Sequence, residues 1–316
     1  MANSPNSAPK NSTRLIYFGT DELSPIVLGR LLESGWPVTA VVTKPDAIKG
    51  RNKETTEPAV KQIAKTHHIP VFQPARLQDI EDKLRVLKPE IGVLVAYGKI
   101  VPESTIGLFP KGIINVHPSL LPEYRGSSPI EQAILHGDAK TGVSIMQLAK
   151  EMDAGPVYAS KEVPLRNDDS QTSFYPKLGL IGSELLLEVL PGILSGTLVP
   201  RPQDSSKATY APLLSKENGY IDWDKESADA ILRKIRAFDR WPQARGTIVL
   251  PNSQPVEVII TKAEPANTTH QKPGHVYYLD GKLVVAAKSG AVELLVLKVP
   301  GKNTMSGAQF AAGYLK

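Results

Sequence analysis

RLIYFGTDELSPIVLGRLLESGWPVTAVVT, residues 14–43, decides the fold class. Its first apolar run, RLIYFG, is followed by the amphipathic stretch SPIVLGRLLESG and then by a second apolar run, VTAVVT. Short apolar runs alternating with amphipathic stretches predict βαβ units on a parallel sheet. The pattern continues through AVKQIAKTHH and IPVFQP, then LQDIEDKLRVLKP and EIGVLVAYG. The last of these is apolar almost throughout, as a strand covered on both faces must be, so it is expected near the sheet centre. Beyond it, GIINVHPS reads as a strand, PIEQAILHG as a helix, TGVSIMQL and VYASKEVPL as strands, and SFYPKLGLIGSELLLEVLPGIL as a long helix. An α/β domain with a Rossmann-like, mostly parallel sheet is therefore expected over residues 14–196. The first turn, FGTDELS, lacks G-x-G-x-x-G, so a dinucleotide is not predicted.

Behind this domain, GTLVPRPQDSSKATYAP (residues 196–212) has no apolar period and reads as a linker over 197–212. The helix SADAILRKIRAF then precedes four closely spaced strands, PVEVIITKAEP, GHVYYLD, KLVVAAKSG and AVELLVLKVP. A small β-barrel, OB-like, is expected over 213–316. Residues 1–13, MANSPNSAPKNST, read as a disordered tail. A chain of 316 residues exceeds what one core usually supports, in agreement with two domains.

Composition narrows the function classes. The absence of cysteine excludes disulfides, thiolate metal sites and a cysteine nucleophile, and fits a reducing cytoplasm. His67, His68 and His136 have no metal-ligand spacing, so no metal is expected. No uninterrupted apolar run approaches the roughly 20 residues that span a bilayer, so no membrane partner is expected. A monomer is the default. The net charge of +5 is uneven: residues 213–316 hold 14 basic against 10 acidic side chains, while residues 1–196 balance.

The chemistry concentrates at Asn115-Val116-His117, at the carboxyl end of a predicted strand. Ligands in open α/β sheets bind outside such ends. Residues two apart on a strand leave on one face, so Asn115 and His117 project together. Taken alone, such a pair can simply satisfy strand-end backbone groups. The following stretches, Leu121 to Pro129 and TGVSIMQLAKEMDAG, deliver Asp153 on a Gly-flanked loop after a further strand. An amide and an imidazole can stabilise an oxyanion and move a proton, and a carboxylate can hold the imidazolium.

In this order and spacing the sequence resembles the 10-formyltetrahydrofolate-dependent formyltransferases. The likeness is carried by Phe18-Gly19-Thr20, Ala96-Tyr97-Gly98, the block Asn115 to Pro129 and the Asp153 loop. It implies direct formyl transfer with Asn115, His117 and Asp153 as catalytic residues and 10-formyltetrahydrofolate as cosubstrate. Ser119, Leu120, Leu121 and Pro122 match the family's folate-contacting segment. TYAPLLSKENGYIDW, RAFDRWPQA and GKNTMSGAQF resemble the tRNA-acting branch, which implies initiator methionyl-tRNA as partner.

Two basic features are candidates for the RNA. The loop Thr43 to Lys53 carries four basic residues against one acid and corresponds to an inserted, RNA-entering loop of the family; Arg51 and Lys53 are its expected contacts. Arg233 and Arg236 lie among aromatics in RKIRAFDRW, a pattern that a solvated helix face with core anchors also explains. Asp21 and Leu23 depart from the family, which has Pro and an aromatic there. Three other readings compete: transfer to a glycinamide ribonucleotide or amino sugar, hydrolysis of the folate, and an RNA-binding protein without catalysis.

Overall fold

The computed structural model describes residues 13–20, 22–49, 54–267 and 272–315. Arg51, Lys53, Asp21 and nearly all of the expected tail lie outside the described residues. The chain divides into two compact units. One comprises residues up to Pro129 with Thr141–Pro164 and Tyr175–Ala211, the other Ile130–Lys140, Leu165–Phe174 and Pro212–Lys316.

The first unit is built on seven strands: β1 (Leu15–Gly19), β2 (Val38–Val42), β3 (Val71–Phe72), β4 (Ile91–Val95), β5 (Ile113–His117), β6 (Lys140–Gln147) and β7 (Val157–Pro164). Their order is β7-β6-β5-β4-β1-β2-β3. β4 is central, as its apolar sequence requires, and β1, β2, β3, β4 and β5 pair in parallel. The order reverses between β1 and β4, which opens the crevice at their carboxyl ends. β6 runs antiparallel to β5, so the chain leaving β6 returns to the end of the sheet where β5 began.

The 25-residue helix Gln171–Ser195 qualifies the membrane expectation, because by length and composition it is apolar enough to cross a bilayer. In the structure its Leu178, Leu185, Leu186, Leu190 and Ile193 are buried, so it serves as a core helix.

In the second unit the strands β8 (Arg245–Val249), β9 (Pro255–Ala266), β10 (Val276–Leu279), β11 (Lys282–Ala286) and β12 (Ala291–Lys298) form a sheet ordered β8-β9-β12-β11-β10. Each strand in it pairs antiparallel with its neighbours. The sheet curls until Val249 N–H reaches the Gly274 carbonyl (2.8 Å), joining one edge to the chain that enters the other. Ile231 and Ile235 of the helix Ala228–Ala237 pack in one cluster with Val258, Ile260, Leu294, Leu297 and Phe310. Each such side chain contributes about 1.5–3 kcal/mol when fully buried. The sequence pattern missed β8, whose Arg245-Gly246 start breaks the apolar alternation. Arg245 is nevertheless buried, donating to the Pro242 carbonyl (2.6 Å), and Gly246 leaves room for the Trp223 indole.

Two boundaries differ from the sequence expectation. Residues 130–140 and 165–174 group with the second unit through hydrogen bonds that periodicity cannot reveal. Arg233 Nε donates to the Leu135 carbonyl (2.9 Å), and Gln171 Nε2 to Glu131 Oε1 (2.7 Å). Conversely, 197–211 is more than a tether, since Tyr210–Ala211 pairs in parallel with Arg125–Gly126 and Arg201 bridges Val157.

Asp239 closes the start of the long helix, accepting from Ser170 Oγ (2.6 Å) and from Thr172 N–H (3.1 Å). A carboxylate on free N–H groups at a helix start stabilises by about 1 kcal/mol, and up to about 2. Asp239→Ala is therefore expected to lower unfolding free energy by about 1–2 kcal/mol in denaturant titration. An unchanged midpoint and slope would contradict the capping role.

Candidate active site

β5 presents Asn115 and His117 on one face, and both are almost wholly buried. Asn115 lies opposite Leu94 of β4 and Met146 of β6, and His117 opposite Ser144. Interior strand positions favour apolar side chains, so two polar ones here need partners. The loop after β6 supplies them.

Asp153 meets both. Asn115 Nδ2 donates to Asp153 Oδ1 (3.2 Å), the Gly126 N–H donates to Oδ2 (2.8 Å), and Oδ2 lies 3.7 Å from His117 Nδ1. The other ring nitrogen, Nε2, is 3.0 Å from the Tyr124 carbonyl. A carbonyl only accepts, so Nε2 carries hydrogen whenever this bond is made. In the neutral ring Nδ1 is then the nitrogen without hydrogen, and it faces the Asp153 carboxylate. Asn115 uses one amide hydrogen on Asp153, and its second has no acceptor among the described residues.

The backbone around this cluster is held in uncommon conformations. Ala96 (φ 45°), Tyr124 (φ 58°) and Asp153 (φ 50°) are all left-handed without being glycine. Such residues cost free energy and collect at functional sites. Two glycines make the arrangement possible. A Cβ at Gly126, whose φ is 120°, would collide with the Ala211 carbonyl oxygen, and one at Gly155 with the Gln147 carbonyl oxygen.

The segment Ser119 to Pro122 divides in two. Ser119 is fully buried and its Oγ donates to the Glu123 carbonyl (2.5 Å), so that hydroxyl serves its own turn. The Leu121 N–H is tied to Ser144 Oγ (3.1 Å), and Leu120 fills the space above Gly142. Leu120, Leu121 and Pro122 stay half-buried and present apolar surface. Tyr97, which follows β4, is buried with no hydrogen-bond partner for its hydroxyl among the described residues, and burial pushes this phenol up to about 12.

Of the residues expected at the RNA, Arg233 pairs with Asp229 and donates to Leu135. Arg236 donates to the carbonyls of Leu232 and Asn167, and burial lowers its pKa. Both are therefore engaged within the second unit. The sequence reading missed Arg125 and Gln203. Arg125 is 3% exposed and donates through Nε (3.1 Å) and Nη2 (2.8 Å) to Gln203 Oε1. Gln203 Nε2 donates in turn to the carbonyls of Asp153 (2.8 Å) and Gly155 (2.7 Å). A signal existed for Arg125, which sits inside the quoted motif; Gln203 was hidden in a Pro- and Ser-rich stretch.

The geometry fixes a tautomer. Nitrogen-15 NMR of labelled protein should find neutral His117 carrying its proton on Nε2, with Nδ1 bare. A dominant Nδ1–H form would contradict the Tyr124 contact.

Comparison with known proteins identifies the family to which the chain belongs. Residues 13–190 match the formyl transferase family and residues 213–315 the formyl transferase C-terminal domain. The chain is 42% identical over 312 residues to methionyl-tRNA formyltransferase of Dictyoglomus turgidum, covering 95% of this chain and 96% of that protein. It is 39% identical over 302 residues to the enzyme of the same name from Herpetosiphon aurantiacus, covering 95% and 97%. Among solved structures, HypX from Aquifex aeolicus in complex with tetrahydrofolic acid superposes with a TM-score of 0.68 at 22% identity. That match covers 96% of this chain and 47% of HypX, so the chain spans about half of HypX. An N-formyltransferase from Helicobacter canadensis, with folinic acid and dTDP-3-aminofucose, gives a TM-score of 0.66 at 18% identity, covering 89% and 98%. Those two likenesses concern the fold. With both domains matched and relatives aligned over nearly their whole length, the chain belongs to the formyl transferase family, and within it to the methionyl-tRNA formyltransferases.

Proposed function

We propose that this chain transfers the formyl group of 10-formyltetrahydrofolate to the amino group of initiator methionyl-tRNA, for translation initiation in the cytoplasm. The observation that carries the chemistry is the Asp153 carboxylate, held by Asn115 and Gly126 and facing His117 Nδ1. The acceptor is supported by the curated relatives, methionyl-tRNA formyltransferases aligned over 95% of this chain.

In this reading the amine nitrogen attacks the formyl carbon. A new C–N bond forms and the formyl oxygen takes negative charge. The second Asn115 amide hydrogen is the donor for that oxygen, a contribution of several kcal/mol in enzymes of this kind. His117 Nδ1 takes the proton released by the amine, and Asp153 stabilises the imidazolium. As the bond from carbon to the folate nitrogen breaks, the same proton is returned to the leaving nitrogen. Leu120, Leu121 and Pro122 are the proposed apolar contacts of the folate, with Ser119 shaping their turn.

For the RNA, Arg51 and Lys53 are the proposed phosphate contacts. Arg233 and Arg236 are proposed to support the RNA-facing surface indirectly, because their guanidinium groups already serve carbonyls of their own unit.

The deciding assay supplies 10-formyltetrahydrofolate with initiator methionyl-tRNA, elongator methionyl-tRNA and free amines. Formylation of the initiator alone is expected. Formylation of an amino sugar or glycinamide ribonucleotide instead, or release of formate without an acceptor, would move the substrate class. In the same assay His117→Ala should lose about 10²–10⁴-fold in kcat with folate affinity retained. Loss of folate binding with turnover per bound enzyme intact would overturn the role given to His117.

A further inference from the structure

We infer that Gln203 is a positioning residue for the formyl-transfer site, the leading contact of a strap that begins at Gln203 and runs to Ala211. The inference rests on the catalytic reading of Asp153. The strap touches both groups that hold His117. At one end, Gln203 Nε2 spends its two hydrogens on the carbonyls of Asp153 (2.8 Å) and Gly155 (2.7 Å), bracketing the left-handed turn that aims the carboxylate. At the other, Thr209 Oγ1 accepts the Tyr124 N–H (2.8 Å), and the Thr209 carbonyl accepts the Arg125 N–H (2.9 Å). Tyr124 is the residue whose carbonyl fixes His117 Nε2.

Gln203 is itself fixed from behind. Arg125 is a buried cation whose guanidinium grips the Gln203 amide oxygen and Ser205 Oγ (3.3 Å). That grip settles the orientation of the amide, since only its oxygen can accept from Arg125 and only its nitrogen can donate to the two carbonyls. The Gly126 N–H, one residue along from Arg125, binds the carboxylate of Asp153 directly. Arg125-Gly126 therefore reaches Asp153 twice, once on the carboxylate and once through Gln203 on the main chain. A loop released by a fraction of an ångström at such a site loses rate rather than substrate affinity.

Gln203→Glu separates the two halves of this contact. A carboxylate still accepts from Arg125 but cannot donate to either carbonyl. The expected result is a folded protein with a lowered melting temperature, a kcat lower by roughly 10–100-fold and KM values for folate and tRNA changed less than about threefold. In an Asp153→Asn background the same substitution should cost less than about twofold, because its effect passes through Asp153. Gln203→Ala, which removes the donors without adding charge, carries the same kinetic expectations should the Glu variant fail to fold. Unchanged kcat, or an equal loss in both backgrounds, would overturn the positioning role. An Asp153→Asn enzyme as active as wild type would instead refute the catalytic reading on which it rests.

Discussion

A carboxylate set into the end of a sheet needs donors, and the demand of Asp153 organises much of the first unit. Its two oxygens are served by an amide on β5 and by a backbone N–H from the short strand Arg125–Gly126, with an imidazole ring facing one of them. Hydrogen bonds to an ionised acceptor are roughly twice as strong as neutral ones. A largely buried charge deprived of them is correspondingly expensive. Four separate stretches of chain therefore have to arrive together: β5, residues 124–126, the loop after β6 and residues 203–211. Each has other work to do in the fold, and the carboxylate ties them to a common position.

The sheet makes that meeting possible. Because the strand order reverses between β1 and β4, the loops at the carboxyl ends of neighbouring strands diverge and leave a crevice. Because β6 runs antiparallel to β5, its trailing loop returns beside β5 and brings Asp153 back to Asn115. The left-handed residues Ala96, Tyr124 and Asp153 follow β4, β5 and β6 respectively, where the backbone has to turn sharply and present a carbonyl or a side chain inward. Glycine would ease these turns, but at Asp153 the side chain is the point of the turn.

What was legible in the sequence follows from what periodicity reports. Apolar alternation records how an element is covered, so the strands of the sheet, the central place of β4 and the shared face of Asn115 and His117 could all be read from it. The motif order then placed Asp153 beside them. Hydrogen bonds between distant polar residues leave no period. Gln203 looked like one polar residue among many in GTLVPRPQDSSKATYAP, although it holds two carbonyls of the Asp153 loop. The grouping of residues 130–140 and 165–174 with the second unit depends on Arg233 at Leu135 and on Asp239 at Thr172, contacts between residues that local patterns treat as exposed. Ser119 shows the same limit in reverse: its place in a motif pointed to a ligand, and its hydroxyl is turned onto Glu123.

The basic excess behind residue 212 separates what charge counting can and cannot do. Arg233 with Asp229, Lys234 with Glu226, Lys225 with Asp222 and Lys282 with Glu293 form ion pairs within the second unit. Removing these four pairs from 14 basic and 10 acidic side chains leaves ten and six, so the excess of four is untouched. Long-range attraction for a polyanion depends on that excess and survives local pairing. Its location does not survive. In the conspicuous cluster RKIRAFDRW, Arg233 and Lys234 form ion pairs, and Arg233, Lys234 and Arg236 each donate to backbone carbonyls. The charges available to phosphate must then come from basic residues without such partners, which a linear sequence gives no means of singling out.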